Sequence, residues 1–406
     1  MTEKRNITEE DVLLKIRIPD AGVEVKKPPT TAAVPWGPRL ILDGTDIVLR
    51  RLTMLPNPQA PLQIVIDGND ATISDMGKVV ATGKMEEPPT WCDMLMSDGT
   101  TRVGDVFPSN MPTECYLLLG GGGCFAYDTG RTCRYCGFYV EAARGMPSPP
   151  PTGARPSQER AIEAVALAAK NGWRGCIQIV GGLLPPKLRG EWFTDTVEMI
   201  MTQFREFLGD DDILAELQIA VDNAPPNDLG EFHKWKGFGI SSIEIDTEVL
   251  DPDWFKAICP AKSKRLWDEG QEAAAEVFGR GRGSSNLFVL GLEPMAGMLE
   301  GVEERVSKGV YVMPSPFTAH PYAPMAGMGA PSLEWFREAY EKIIDIYLKY
   351  GDTFDIPLTD DDRWGYTRRG RSLYAWDDDM TRRLQEMGKL PPGLPSQYGI
   401  EPVSWV

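Results

Sequence analysis

Residues 115–136 read CYLLLGGGGCFAYDTGRTCRYC, and this stretch decides the reading of the chain. Residues 115–119 form a short apolar run of the kind that makes a buried strand, and the glycines Gly120 to Gly123 end it. Cys124, Cys133 and Cys136 follow with the spacing C-x8-C-x2-C. Two cysteines separated by two residues can fold back with both thiolates in one concavity, and the third reaches the same point over the intervening loop. Such a set suits a soft metal centre. Three thiolates leave one iron of a four-iron cluster open, and an open iron is where a small molecule binds.

Composition indicates where such a centre would reside. Among 406 residues there are seven cysteines, and the N-terminus carries no apolar leader. No apolar run is long enough to span a bilayer, so the chain reads as soluble and cytoplasmic, where clustered thiols bind metals or catalyse rather than form disulfides. The remaining thiols, Cys92, Cys115, Cys176 and Cys259, stand singly and read as buried side chains. Cys92 and Cys115 are the candidates to approach the cluster from the preceding segment. A formal charge of −17, from 42 basic and 59 acidic residues, argues against nucleic acid or an anionic membrane as the main partner. With only two histidines, His233 and His320, a site built on several imidazoles is excluded.

Strand-like runs at 12–18, 39–42, 47–52, 62–66 and 78–82, punctuated by Asp43-Gly44, Asp67-Gly68 and Asp98-Gly99, make residues 1–110 a β-rich N-terminal module. The prolines of 146–156 form an extended connection. Helical and strand patterns then alternate: helix 159–170, strand 176–180, helix 192–208, strand 216–221, helix 227–235, strand 240–245, helix 263–278, strand 286–290, helix 297–307 and strand 310–313. With the strand at 115–119 this makes six repeats, a parallel sheet curled into a partial (β/α)6 barrel whose functional groups belong at the carboxyl ends of its strands. The barrel spans 111–326, and a mainly helical C-terminal extension spans 327–406.

The cysteine loop after the first strand, Tyr135 just before Cys136, and the pair Gly181-Gly182 ending the second strand together resemble the radical S-adenosylmethionine (radical SAM) superfamily. Its usual spacing is C-x3-C-x2-C, and this chain departs from it by five residues in the first loop. The resemblance implies that Cys124, Cys133 and Cys136 bind a [4Fe-4S] cluster whose open iron chelates the amino and carboxylate groups of SAM. Reductive cleavage then gives a 5'-deoxyadenosyl radical. Tyr135 would pack near the adenine and the Gly181-Gly182 backbone would approach the SAM amino group, whereas Leu183 stands where an acidic residue is common. Glu244 is the candidate for the ribose hydroxyls. Lys262, Ser285 and Asn286 are candidates for further polar contacts to SAM.

Residues 288–294 and 312–317 resemble late strands of the biotin synthase and tyrosine lyase branch. A further likeness is to methanogen radical SAM enzymes that methylate methyl-coenzyme M reductase, in particular the cobalamin-dependent glutamine C-methyltransferase. It implies cobalamin as a cofactor, the reductase alpha subunit as protein substrate, and a reduced ferredoxin or flavodoxin as electron donor. No Asp-x-His-x-x-Gly cobalamin motif is present. The aromatics of 333–350, with Trp364, Tyr366, Tyr374 and Trp376, read either as core or as a floor for a corrin. Arg363, Arg368, Arg369 and Arg371 either bind a phosphate tail or neutralise Asp360 to Asp362. Two alternatives stand beside this reading: a radical lyase or mutase acting on a small molecule without cobalamin, and a non-catalytic iron-sulfur or zinc protein, which would need a fourth protein ligand. Gly120 to Gly123 lack a following Gly-Lys-Ser/Thr, so nucleotide hydrolysis is rejected.

Overall fold

The structure, a computed structural model, describes residues 14, 21–27, 40–44, 48–49, 60–85, 87–108, 114–119, 124–137, 157–317, 323–325, 328–329 and 331–350. Residues 146–156, Gly120 to Gly123, His320 and the aromatics and arginines beyond 350 lie outside the described residues. The chain divides into two compact units, one of 1–115 with 167–173 and 358–406, the other of 116–166 with 174–357.

In the first unit a six-stranded sheet has the order β1-β4-β5-β6-β2-β3, formed by β1 (Gly22–Lys27), β2 (Leu40–Leu42), β3 (Val48–Leu49), β4 (Leu62–Asp67), β5 (Asp70–Asp75) and β6 (Lys78–Met85). The Asp67-Gly68 turn joins β4 to β5, with Gly68 at φ 68°. Sequence reading missed β1 and β5. Only Ala71 and Ile73 of β5 are deeply buried, and two small or single apolar side chains make no visible alternation. Of the strand expected at 12–18 only Leu14 is described, and its backbone is helical.

The second unit is the expected parallel sheet, in the order β12-β11-β10-β9-β8-β7. Its strands are β7 (Glu114–Leu118), β8 (Cys176–Val180), β9 (Gln218–Asp222), β10 (Ser242–Glu244), β11 (Gly281–Leu290) and β12 (Val310–Pro316). The α-helices among the described residues, in order, are α1 (Val103–Val106), α2 (Phe125–Asp128), α3 (Gln158–Lys170), α4 (Glu191–Leu208), α5 (Asp211–Glu216), α6 (Glu231–Gly237), α7 (Pro252–Ile258), α8 (Lys264–Phe278), α9 (Met295–Ser307) and α10 (Leu333–Tyr350). This is a partial (β/α)6 barrel.

Several bounds differ from the sequence reading for local reasons. Asp210 accepts hydrogen bonds from the amides of Asp212 and Ile213, so residues expected to begin a strand at 216 finish α5 instead. Asp251 caps α7 in the same way, with Pro252 opening the helix. The strand expected to open at Ser285 and Asn286 begins at Gly281, so both residues lie within β11. Helix α10 belongs with the barrel: the Tyr347 hydroxyl accepts from the Val312 amide and donates to the Val312 carbonyl, each at 2.7 Å, which satisfies outward-facing groups of the edge strand β12. Phe336, Ile343 and Tyr347 are buried, as core rather than as an exposed aromatic floor.

Candidate active site at the carboxyl ends of the barrel strands

Parallel register sets one row of residues across the sheet: Val180 pairs with Asp222, Asp222 with Glu244, and Glu244 with Ser285. The row lies at the carboxyl ends of β8, β9 and β10 and meets β11 in mid-strand. Glu244, 1% exposed, accepts from Gln178 Nε2 at 3.0 Å. It is a buried, hydrogen-bonded carboxylate, not a solvated strand end. Among the described residues, the ligand atoms close enough for a single ion, within 4.8 Å of one another, are those of Asp222, Glu244 and Asp246. Burial, with Glu244 and Asp222 adding like charge, raises the Asp246 pKa well above the carboxylate range. Asp246 Oδ1 nevertheless accepts from the Leu287 amide at 2.7 Å, which fixes its orientation.

The cysteine loop is stitched to this edge by its own backbone. The Phe125 amide donates to Leu183 O at 2.8 Å, the Arg134 amide to Ile258 O at 2.9 Å, and the Arg131 guanidinium to Pro260 O. Cys136 N donates to Cys133 O at 3.1 Å, closing the turn that brings these two cysteines onto adjacent positions. All three loop cysteines are half-buried and none is in a disulfide. The buried thiol beside them is Cys259, at the end of α7, rather than Cys92 or Cys115 as the sequence had suggested. A hydrogen bond from Cys259 lowers the Cys133 pKa against the opposing effect of burial, with the Lys262 cation assisting, and raises that of Cys259 in turn. Cys133, drawn toward its thiolate on a loop pinned at both flanks, is a donor of the kind an iron-sulfur cluster takes. Cys92, by contrast, is an inert thiol pushed up to about 12 by burial and the neighbouring Asp93.

Tyr135 and Cys133 pack against a core of Val249, Phe255, Ile258, Cys259, Val289, Leu292 and Phe317. Burial, with Glu248 nearby, raises the Tyr135 pKa, so the phenol stays neutral. A Cβ on Gly181 would meet Leu119 O at 3.2 Å, so the close approach of β7 already explains this glycine. Asn223, not foreseen from sequence, organises the glycine pair. Its Nδ2 donates to the carbonyls of Gly181 and Gly182 at 3.0 and 3.2 Å, and its Oδ1 accepts from Leu184 and Ala224 amides at 3.3 and 2.9 Å.

Lys262, expected to touch SAM, is engaged within the protein. Its Nζ donates to Asp246 O at 2.6 Å and to Glu248 at 2.7 Å. Burial works against its charge, but Glu248 together with Cys133 and Cys259 outweighs that and holds its pKa above the usual value. Ser285 Oγ donates to Ile243 O at 3.3 Å, and Asn286 Oδ1 accepts from the amide and hydroxyl of Thr247 at 2.7 and 2.9 Å. Both are completely buried and hold β10 and the segment after it in place. His233 is exposed on α6. No helix among the described residues is long and apolar enough to cross a membrane.

No protein-family model matches the chain. Among solved structures it is similar to the FeFe-hydrogenase maturase HydG from Carboxydothermus hydrogenoformans, 17% identical over 61% of this chain and 53% of that one, at a TM-score of 0.41. It is similar also to the radical SAM enzyme coproporphyrinogen III oxidase (HemN) from Escherichia coli, 12% identical over 61% and 55% of the chains, at 0.38. A third likeness, to methylornithine synthase (PylB), is 14% identical over 75% and 92%, at 0.41. These likenesses are too distant to assign an activity. The bacteriochlorophyllide c C-7(1)-hydroxylase of Chlorobaculum limnaeum is 39% identical to this chain, over 97% of the chain and 100% of the hydroxylase. An identity of that size maintained from end to end means that the chain belongs to the family of this hydroxylase.

Proposed function

We propose that the chain is a radical SAM enzyme that hydroxylates a carbon of a bacteriochlorophyllide-type tetrapyrrole. The full-length likeness to a bacteriochlorophyllide hydroxylase carries the reading, and the thiol chemistry of the cysteine loop supports it. With a [4Fe-4S] cluster on Cys124, Cys133 and Cys136 and SAM at its open iron, the site would supply a 5'-deoxyadenosyl radical able to take hydrogen from an unactivated C–H bond. In net balance SAM, the substrate C–H and one water give methionine, 5'-deoxyadenosine, the alcohol and a proton. The electron that starts the turnover is recovered when the substrate radical is oxidised.

The chain's own residues orient the reactants. Glu244, fixed by Gln178, presents a carboxylate suited to two vicinal ribose hydroxyls, with Asp222 and Asp246 beside it. Asn223 fixes the Gly181-Gly182 backbone, and Tyr135 closes the apolar side next to Cys133. A ferredoxin or flavodoxin would deliver the electron. Cobalamin-dependent methylation of a protein glutamine, expected from sequence, draws no support from the hydroxylase relative.

One anaerobic assay separates these readings. Reconstituted, reduced protein with SAM and bacteriochlorophyllide c is expected to yield 5'-deoxyadenosine and a pigment heavier by one oxygen, labelled when the water is labelled. Formation of 5'-deoxyadenosine with no change in the pigment, but with methylation of a glutamine peptide when cobalamin is added, would replace hydroxylation by methyl transfer.

A further inference from the structure

Arg189 is a buried charge without a counter-charge among the described residues. It follows the short 3-10 turn Pro186–Leu188 in the connection after β8, and it is 8% exposed. Its Nε and Nη1 are enclosed and have no hydrogen-bond partner among the described residues. Burial pulls its pKa below the usual value, with no carboxylate among the described residues offsetting it. The guanidinium lies over the Trp267 ring at 5.9 Å from the centroid, and a ring face compensates only part of the lost hydration. Where this fold uses a buried cation structurally, it pairs it: Arg305 meets Asp268 at 2.6 Å and Lys262 meets Glu248 at 2.7 Å.

The backbone around Arg189 is held firmly while two nitrogens of its side chain are left without a hydrogen-bond partner among the described residues. Asn227 N donates to Arg189 O at 2.7 Å, and Asn227 Nδ2 donates to Pro186 O at 2.8 Å. The connection places Arg189 on the same rim as the candidate active site. Trp267 beneath it donates from Nε1 to Asp246 O at 3.1 Å, and Leu184, the buried apolar residue of the same connection, is tied to Asn223. A planar guanidinium with unused donors, backed by an indole, is built for a carboxylate carried on an apolar body.

We propose that Arg189 is a specificity residue that receives the free carboxylate of the tetrapyrrole, with Trp267 holding the opposite face of the guanidinium. This rests on the functional reading above. A chlorophyllide is the free acid of a chlorophyll, a flat apolar ring that must bring its carboxylate into the site. The carboxylate of SAM is already assigned to the open iron. A buried carboxylate facing an unpaired guanidinium cancels both desolvation costs, whereas an ester offers no charge to cancel.

The test is an absorbance titration of reconstituted protein with bacteriochlorophyllide c and, separately, with its methyl ester. The native protein is expected to bind the acid at least tenfold more tightly than the ester. Arg189→Met should weaken acid binding at least tenfold and leave ester binding as it was. Arg189→Lys should retain part of the preference. Removal of an unpaired buried charge should leave the Tm of Arg189→Met no lower than that of the native protein. Equal weakening of acid and ester, or a fall in Tm with the acid preference intact, would overturn the assignment, and so would a loss of SAM affinity in Arg189→Met, because the carboxylate would then be that of SAM. If the native protein binds neither pigment, the functional reading falls and the inference falls with it; if it binds both equally, only the inference falls.

Discussion

Asn223 holds Gly181 in place from 42 residues away, through a 3.0 Å bond from its side-chain amide to the glycine carbonyl. The same side chain also binds the Gly182 carbonyl and the Leu184 and Ala224 amides, so one residue at the end of β9 satisfies four backbone groups of two connections. Asn223→Ala leaves those groups unpaired in a buried setting and should destabilise the barrel by about 3 kcal/mol. Asn223→Asp keeps the acceptor and loses the donor, so the Gly181-Gly182 carbonyls lose their partner. Both variants should raise the KM for SAM more than they alter cluster content. Unchanged SAM kinetics in a folded Asn223→Ala would remove Asn223 from the positioning role.

Cys133 and Cys259 share a hydrogen bond but differ in expected role. Cys133→Ala, Cys124→Ala and Cys136→Ala should each strip iron and sulfide from anaerobically reconstituted protein and abolish 5'-deoxyadenosine formation. Cys259→Ala should retain the cluster. Losing a hydrogen bond to a ligand sulfur should also move the cluster's reduction potential downward, measurable by redox titration. Loss of iron from Cys259→Ala would make Cys259 the fourth protein ligand, and the reading as a non-catalytic iron-sulfur or zinc protein would then prevail.

The alternation of helix and strand was legible because each segment carries its own period and stop signals. The cysteine trio was legible because its spacing is local. What escaped is what the fold brings together from afar. Asn223 is an unremarkable polar residue in sequence, and only the pairing of β8 with β9 places it under the glycine pair. Lys262 was singled out, but its partner Glu248 was not. Glu248 sits at φ 69°, a left-handed conformation that nothing in its residue type announces. The start of α7 at Asp251-Pro252 was a local signal that went unread. The early start of β11 at Gly281 was not local: its first residue pairs with Val310 of β12.

Tyr347 tests whether α10 is an integral part of the barrel. Tyr347→Phe keeps the ring, which lies 5.8 Å from that of Tyr311, and removes both bonds to Val312. Leaving the Val312 amide and carbonyl buried without their partner should cost about 2 kcal/mol. The denaturation midpoint should fall with the slope unchanged. A midpoint equal to that of the native protein would mean that α10 does not hold the edge strand.

Asp246 gives a pH dependence whose sign follows from its surroundings. Burial and the neighbouring Glu244 and Asp222 raise its folded pKa, so the folded chain takes up this proton more readily than the unfolded chain. The resulting stability is fully present below the unfolded pKa of about 4 and is lost as pH rises through the raised folded value. Asp246→Asn removes the charge and keeps an oxygen to accept from the Leu287 amide. The variant should therefore melt at a higher temperature than the native protein at alkaline pH, and the gap should close as pH falls toward about 4. A constant gap across that range would show that Asp246 does not titrate as its surroundings require.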